Sequence, residues 1–108
     1  MDTSFKAVVF DARGRVLLGR NPRDEWELLG GRAEPADRTP EDTVRREVLE
    51  EAGLTVQVGP LIDIWFYEVA GRRLAIASYL ASLTSETTVP SPEHTELAFF
   101  ASEDLDAL

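Results

Sequence analysis

Strand-like apolar runs divided by polar and turn residues follow one another along the 108-residue chain, and a helical period appears in one place. FKAVVF (5–10) and RVLLGR (15–20) are apolar runs separated by DARG, which carries Gly14, so they are expected to pair as a β-hairpin. A short strand is expected around Trp26 to Leu28, followed by the double glycine Gly30–Gly31 and a loop with Pro35. Further on, LTVQV (54–58), PLIDIWFYEV (60–69) and RLAIASYLASL (73–83) read as strands, the last two joined through a turn at Gly71. In IWFY (64–67) the alternation puts Trp65 and Tyr67 on one face and Phe66 on the other, and most of this stretch is expected to be packing. Thr84 to Thr95 is a polar, proline-bearing loop, ELAFFA (96–101) a strand, and SEDLDAL opens as a helix capped by Ser102.

The helical segment runs from Pro40 to Ala52. Thr39 is its expected N-cap, Pro40 fits the first turn, Glu41 and Asp42 bring negative charge to the N-terminus, and Gly53 supplies a left-handed stop. Val44, Val48 and Ala52 form an apolar stripe that can pack on a sheet. Beside that stripe Glu47, Glu50 and Glu51 lie within one arc of roughly 100°. Like charges at this spacing repel, and two of them sit where the helix dipole disfavours negative charge. The arrangement costs local stability unless something positive binds there. Arg45 is expected to pair with Glu41 one turn away.

One helix among many strands gives a mixed α/β or α+β fold, expected as a single domain over residues 1–108. With 44% hydrophobic residues the chain can bury a core, and no apolar run approaches the roughly 18 residues of a membrane-spanning helix. Without a signal-peptide pattern or any cysteine, a soluble cytoplasmic protein is expected. A formal charge of -9 argues against a surface for nucleic-acid polymers. All eleven basic residues lie at or before Arg73, and ten are arginine, so a small anionic substrate can still meet guanidinium groups in the first half. Arg20, Arg23 and Arg32 are candidates for phosphate contacts, weighed against plain surface charge. Trp26 is read chiefly as packing, with stacking on a nucleobase as its functional alternative.

GGRAEPADRTPEDTVRREVLEEAGL (30–54) resembles the signature of the Nudix hydrolases, G-x5-E-x7-R-E-U-x-E-E-x-G-U, where U is a bulky aliphatic residue. Arg46, Glu47, Val48, Glu50, Glu51, Gly53 and Leu54 occupy the second half without a gap. The first half departs from the pattern. After Gly31 and five intervening residues comes Asp37, an acid one methylene shorter than glutamate, and eight residues separate it from Arg46, as if one had been inserted. The lead-in WELLGG also looks like the family's, although Leu29 stands where proline is common. The resemblance implies a MutT-like α/β/α sandwich of helices around a mixed sheet, with the final helix cut short here. It further implies hydrolysis of the pyrophosphate linkage in a nucleoside diphosphate derivative: a nucleoside triphosphate, ADP-ribose or a nucleotide sugar. By position, Glu47, Glu50, Glu51 and the carbonyl of Gly31 would hold Mg2+ or Mn2+, Arg46 would hold the carboxylates in place, and a homodimer is a further implied partner.

Such chemistry suits these residue types. A divalent ion neutralises the phosphate oxygens and acidifies the attacking water, and magnesium prefers hard oxygen donors. For the general base the sequence leaves Glu47, Glu50 and the later acids Glu86, Glu93 and Glu96, with His94 more readily a solvated loop residue. A catalytically silent Nudix-like module that binds a nucleotide or protein is the alternative function.

Overall fold

A computed structural model describes residues 2–84 and 96–107. Seven strands and one α-helix follow in the order β1 (Asp2–Phe10), β2 (Val16–Arg20), β3 (Trp26–Glu27), β4 (Leu29–Gly31), α1 (Pro40–Ala52), β5 (Val56–Val69), β6 (Arg72–Leu83) and β7 (Glu96–Phe100). A 3-10 turn, Ser102–Ala107, follows where the sequence pattern opens a helix. The sheet runs β3-β2-β1-β6-β5, with β4 also paired to β1 and β7 to β2. Among the described strands only β1 and β6 are parallel, over nine residue pairs from Asp2↔Leu74 to Phe10↔Ser82. The fold is therefore α+β, with one helix packed against a mixed sheet.

Local chemistry explains the turns. After β1, Asp11 accepts backbone N–H bonds from Arg13 and Arg15, and Gly14 turns the chain at φ 75°. Between β5 and β6, Ala70 and Gly71 both have positive φ, 53° and 76°, the signs required by a tight hairpin whose twist matches its strands. The helix is bounded as its residues dictate: the Thr39 hydroxyl accepts the N–H of Asp42 at 3.1 Å, and Gly53 in the left-handed region returns its N–H to Leu49.

Several expectations need correction. β1 and β2 meet only at Phe10↔Val16, because Phe5–Ala7 pair instead with β4 while β6 takes the other side of β1. β2 finds its partners in β3 and β7. The segments 54–58 and 60–69 are parts of one strand, β5, which absorbs Gly59 and Pro60 through register shifts between Val58, Leu61 and Asp63. The double glycine belongs to a strand as well, since Gly30 and Gly31 pair with Lys6 and Phe5.

The largest correction concerns the apolar run of β5. Val56 is buried, but Ile62, Ile64, Trp65 and Phe66 are each half exposed. As expected, Trp65 and Tyr67 share a face, their ring centroids 5.3 Å apart, but no second layer of described residues covers them. The core lies instead where α1 crosses the sheet. Val44, Val48 and Ala52 pack without exposure against Ala7, Val9, Leu29, Leu54, Ala77 and Tyr79. This anchors α1 beside the end of β4, and so brings the acidic arc to the paired glycines.

Candidate active site

β4 and α1 build the site between them. At Gly30 the backbone has φ 143°, and a Cβ there would lie 2.2 Å from the Phe5 carbonyl oxygen, so only glycine allows this approach of β4 to β1. The N–H of Gly30 donates to Oε2 of Glu51 at 3.0 Å, and Glu51 is only 3% exposed. A carboxylate this buried needs such a donor. Gly31 serves Glu47 in a similar way: a Cβ at Gly31 would lie 2.8 Å from Glu47 Oε1. The two glycines thus make a close-fitting lip for two carboxylates of the next element, α1.

Arg46 organises the rest. Its guanidinium donates to Asp37 through Nε and Nη2, to Glu47 at 3.0 Å, to Glu50 at 3.1 Å and to the carbonyl of Arg32 at 3.0 Å, with Glu34 at 3.4 Å. Asp37 in turn accepts the buried Thr43 hydroxyl at 3.0 Å and the Glu34 N–H at 2.9 Å. These bonds, those from Arg46 foremost, hold the Asp37 carboxyl well below the usual carboxylate range. The same pairing with Asp37 pushes the Arg46 guanidinium up, despite the cost of burial. Asp37 was singled out only as a shorter acid in an irregular place; its reach to Arg46 shows that an aspartate on this loop takes the fork of the guanidinium.

The three glutamates stand in different environments. Glu51 is buried, Glu47 is mostly enclosed, and Glu50 is half exposed. The helical wheel holds the signal for Glu51, which lies three residues after Val48 and seven after Val44 and so falls on the core-facing stripe. As donors all three suit a hard divalent cation, and the glycine lip that a Cβ would fill leaves room beside them. Among the described residues, however, no three acidic or imidazole side chains already converge closely enough to grip an ion. Arg46 draws Glu47 and Glu50 to itself.

The side chains of the other candidates pair outside this cluster. Arg20 on β2 pairs with Glu96 and Asp24 and lies over the Trp26 ring, 5.4 Å from its centroid. Trp26 meets Phe100 edge-on, its centroid 4.8 Å away, which is the packing role favoured for it. Arg23 pairs with Glu25, and Arg32 pairs with Asp2 at 3.3 Å while its carbonyl supports Arg46. Arg45 bonds to Asp42 three residues back, not to Glu41. Glu86, Glu93 and His94 lie outside the described residues, and Glu96 is committed to Arg20.

Comparison with known proteins agrees with this geometry. The family model described as "NUDIX domain" matches residues 2–108. The chain is 27% identical over 103 residues to a CTP pyrophosphohydrolase of Escherichia coli (strain K12), covering 91% of this chain and 75% of that protein. It is 43% identical over 63 residues to a MutT-like protein of Streptomyces ambofaciens, covering 57% of this chain and 40% of that one. Among solved structures, the MutT NUDIX hydrolase of Burkholderia pseudomallei superposes with a TM-score of 0.83 at 28% identity, over 96% of this chain and 85% of that one. A glycine lip holding two helix carboxylates, an arginine at their centre and a family match across almost every residue lead to one conclusion: the chain belongs to the NUDIX family.

Proposed function

We propose that this Nudix pyrophosphohydrolase cleaves the pyrophosphate linkage of a nucleotide derivative with Mg2+ or Mn2+ as its cofactor. Family membership carries the class of enzyme. The observation that supports the metal reading is Glu51, buried to 3% exposure with one oxygen on the Gly30 N–H, beside Glu47 on Gly31. Burying the Glu51 carboxylate at such cost makes chemical sense where a cation is bound. Glu47, Glu50, Glu51 and the Gly31 carbonyl would hold it. When bound, it would neutralise phosphate charge and lower the pKa of a water.

The chain's own residues do the positioning. Arg46, held by Asp37, limits where Glu47 and Glu50 can swing, and Glu51 is held by the sheet. Glu50, the most exposed of the three, is the side chain best able to take a proton from water at the rim. The substrate class is nucleotide, with a nucleoside triphosphate first in order given the CTP pyrophosphohydrolase relative. The net charge of -9 speaks against nucleic-acid polymers, and the cysteine-free composition suits the cytoplasm.

A screen of nucleoside triphosphates, ADP-ribose, nucleotide sugars and dinucleoside polyphosphates, each with Mg2+ or Mn2+, tests the reading. Metal-dependent release of phosphate or pyrophosphate products supports it. Tight nucleotide binding with no cleavage overturns it in favour of a silent binding module.

A further inference from the structure

We propose that a polar row of Lys6, Ser78 and Asp63, on the face of the sheet away from α1, reads the nucleobase of the substrate. The row selects a base with an amine at one end of its edge and a carbonyl at the other, cytosine or guanine, against uracil. The inference rests on the nucleotide substrate class proposed above and adds which base it carries. Ala7, Ala77 and Tyr79 belong to the core under α1, so Lys6 and Ser78, their neighbours along β1 and β6, project from the opposite face. The register sets the three side chains abreast, with Ser78 flanked by Lys6 of β1 on one side and by Asp63 of β5 on the other.

Each member of the row has bonding capacity left over. Ser78 is 6% exposed, and among the described residues its hydroxyl bonds to no protein group. A buried hydroxyl without a partner costs stability, so it points to a ligand that completes it. Lys6, the single lysine of the chain, gives one N–H to the Leu28 carbonyl at 3.3 Å and meets no carboxylate among the described residues. Asp63 is exposed and meets no cation among them. The flanking positions on the same face, two residues away along each strand, are mostly apolar: Val8, Ile76, Leu80 and Trp65. Three polar side chains in register across such a face are a placed set of donors and acceptors.

The order acceptor, hydroxyl, donor decides the base. Adjacent strands stand about 4.8 Å apart, so Lys6 and Asp63 rise from strands about 10 Å from one another. The edge of a base fills such a gap with a hydrogen bond of about 2.9 Å at each end. Cytosine offers its amine to Asp63, its ring nitrogen to the Ser78 hydroxyl and its carbonyl to Lys6, and guanine offers its amine, ring N–H and carbonyl to the same three. Uracil has a carbonyl at both ends, so one of them would face the Asp63 carboxylate with no proton between them. A base standing edge-on in this row turns a ring face toward Trp65, half exposed and on the same face two residues from Asp63. Gly30 lies beside Lys6 on β4 and gives its N–H to Glu51, so a nucleotide held here passes its phosphates over the glycine lip to the carboxylates of α1.

Calorimetric titration of the full chain with CMP, GMP and UMP tests the row without requiring cleavage. CMP, GMP or both are expected to bind at least ~10-fold tighter than UMP, the scale of a hydrogen bond to a charged group, and which of them does so names the base. Asp63→Asn carries an amide that donates as well as accepts, so it is expected to tighten UMP, weaken the favoured base and close the preference to under ~3-fold. Ser78→Ala loses an unpaired buried hydroxyl, so it is expected to melt no lower than the parent and yet to bind the favoured base ~2- to 10-fold more weakly. Undetectable binding of CMP and GMP, UMP bound as tightly as both, a preference that survives Asp63→Asn, or full affinity in Ser78→Ala would each overturn the inference, even where triphosphates are cleaved. Selective binding of CMP or GMP by a chain that cleaves no nucleotide would uphold it and overturn the hydrolytic reading alone.

Discussion

Glu51 and Asp37 show how much of this site rests on single side chains. Glu51→Gln keeps a carbonyl oxygen for the Gly30 N–H and nearly the same volume, so it is expected to fold with a melting temperature near that of the parent. Its turnover is expected to fall at least ~100-fold, the scale seen when a metal or its water is misplaced. Near-parental turnover in the folded variant would remove Glu51 from the chemistry. Asp37 is tested through pH. Its folded carboxyl titrates below the ordinary value of 3.8, so the stabilisation it provides is complete above that value and is lost as the pH falls below it toward the folded pKa. Asp37→Asn should therefore lower stability at neutral pH and flatten the acid limb of a melting-temperature profile below about pH 4. An unchanged slope there would show that the Arg46 bonds do not bear on folding. The acidic triplet and Arg46 are legible in the sequence because one helical turn places them, and the spacing of Glu51 from Val44 and Val48 marks it as the inward one; that the Gly30 N–H meets it is not legible, since this depends on where β4 meets α1.

At the scale of elements, α1 could be read to the residue because everything that bounds it is local: Thr39, Pro40 and Gly53 lie within the helix or next to it. The strands were legible as extended segments but not in their pairing. Neither the parallel union of β1 with β6 nor the pairing of β4 with β1 leaves a mark in periodicity, because both join residues far apart in the chain. The same blindness makes 64–67 look like packing, since alternation records which residues share a face and not whether anything covers it. β4 is the element most exposed to a single change. Gly30→Ala would drive a methyl into the Phe5 carbonyl and hold alanine at φ 143°, at an expected cost of about 2–4 kcal/mol. Chemical denaturation measures it, and a loss under 1 kcal/mol would mean that β4 can shift away from β1 at small cost. Gly31→Ala, by contrast, should spare stability more than activity, because its added carbon meets the mobile end of Glu47 and not backbone.

At the scale of the whole molecule, with its formal charge of -9, a divalent ion held at the site can be told apart from general screening of acidic charge. Mg2+ at millimolar concentration is expected to raise the melting temperature of the parent by binding the folded state alone, and to leave Glu51→Gln unmoved. Equal shifts in both would place the ion elsewhere. The parallel pairing of β1 with β6 adds a constraint on how the chain comes to exist at all. β1 leaves a ribosome before every other described strand, yet its long parallel neighbour begins at Arg72 and is synthesised roughly seventy residues later. Until then one flank of β1 has nothing to zip to, and the helix that carries the glutamates has only part of its floor. A nascent chain halted before Arg72 should thus be readily digested by protease, whereas one released past Leu83 should resist; β6 is what locks β1 into place.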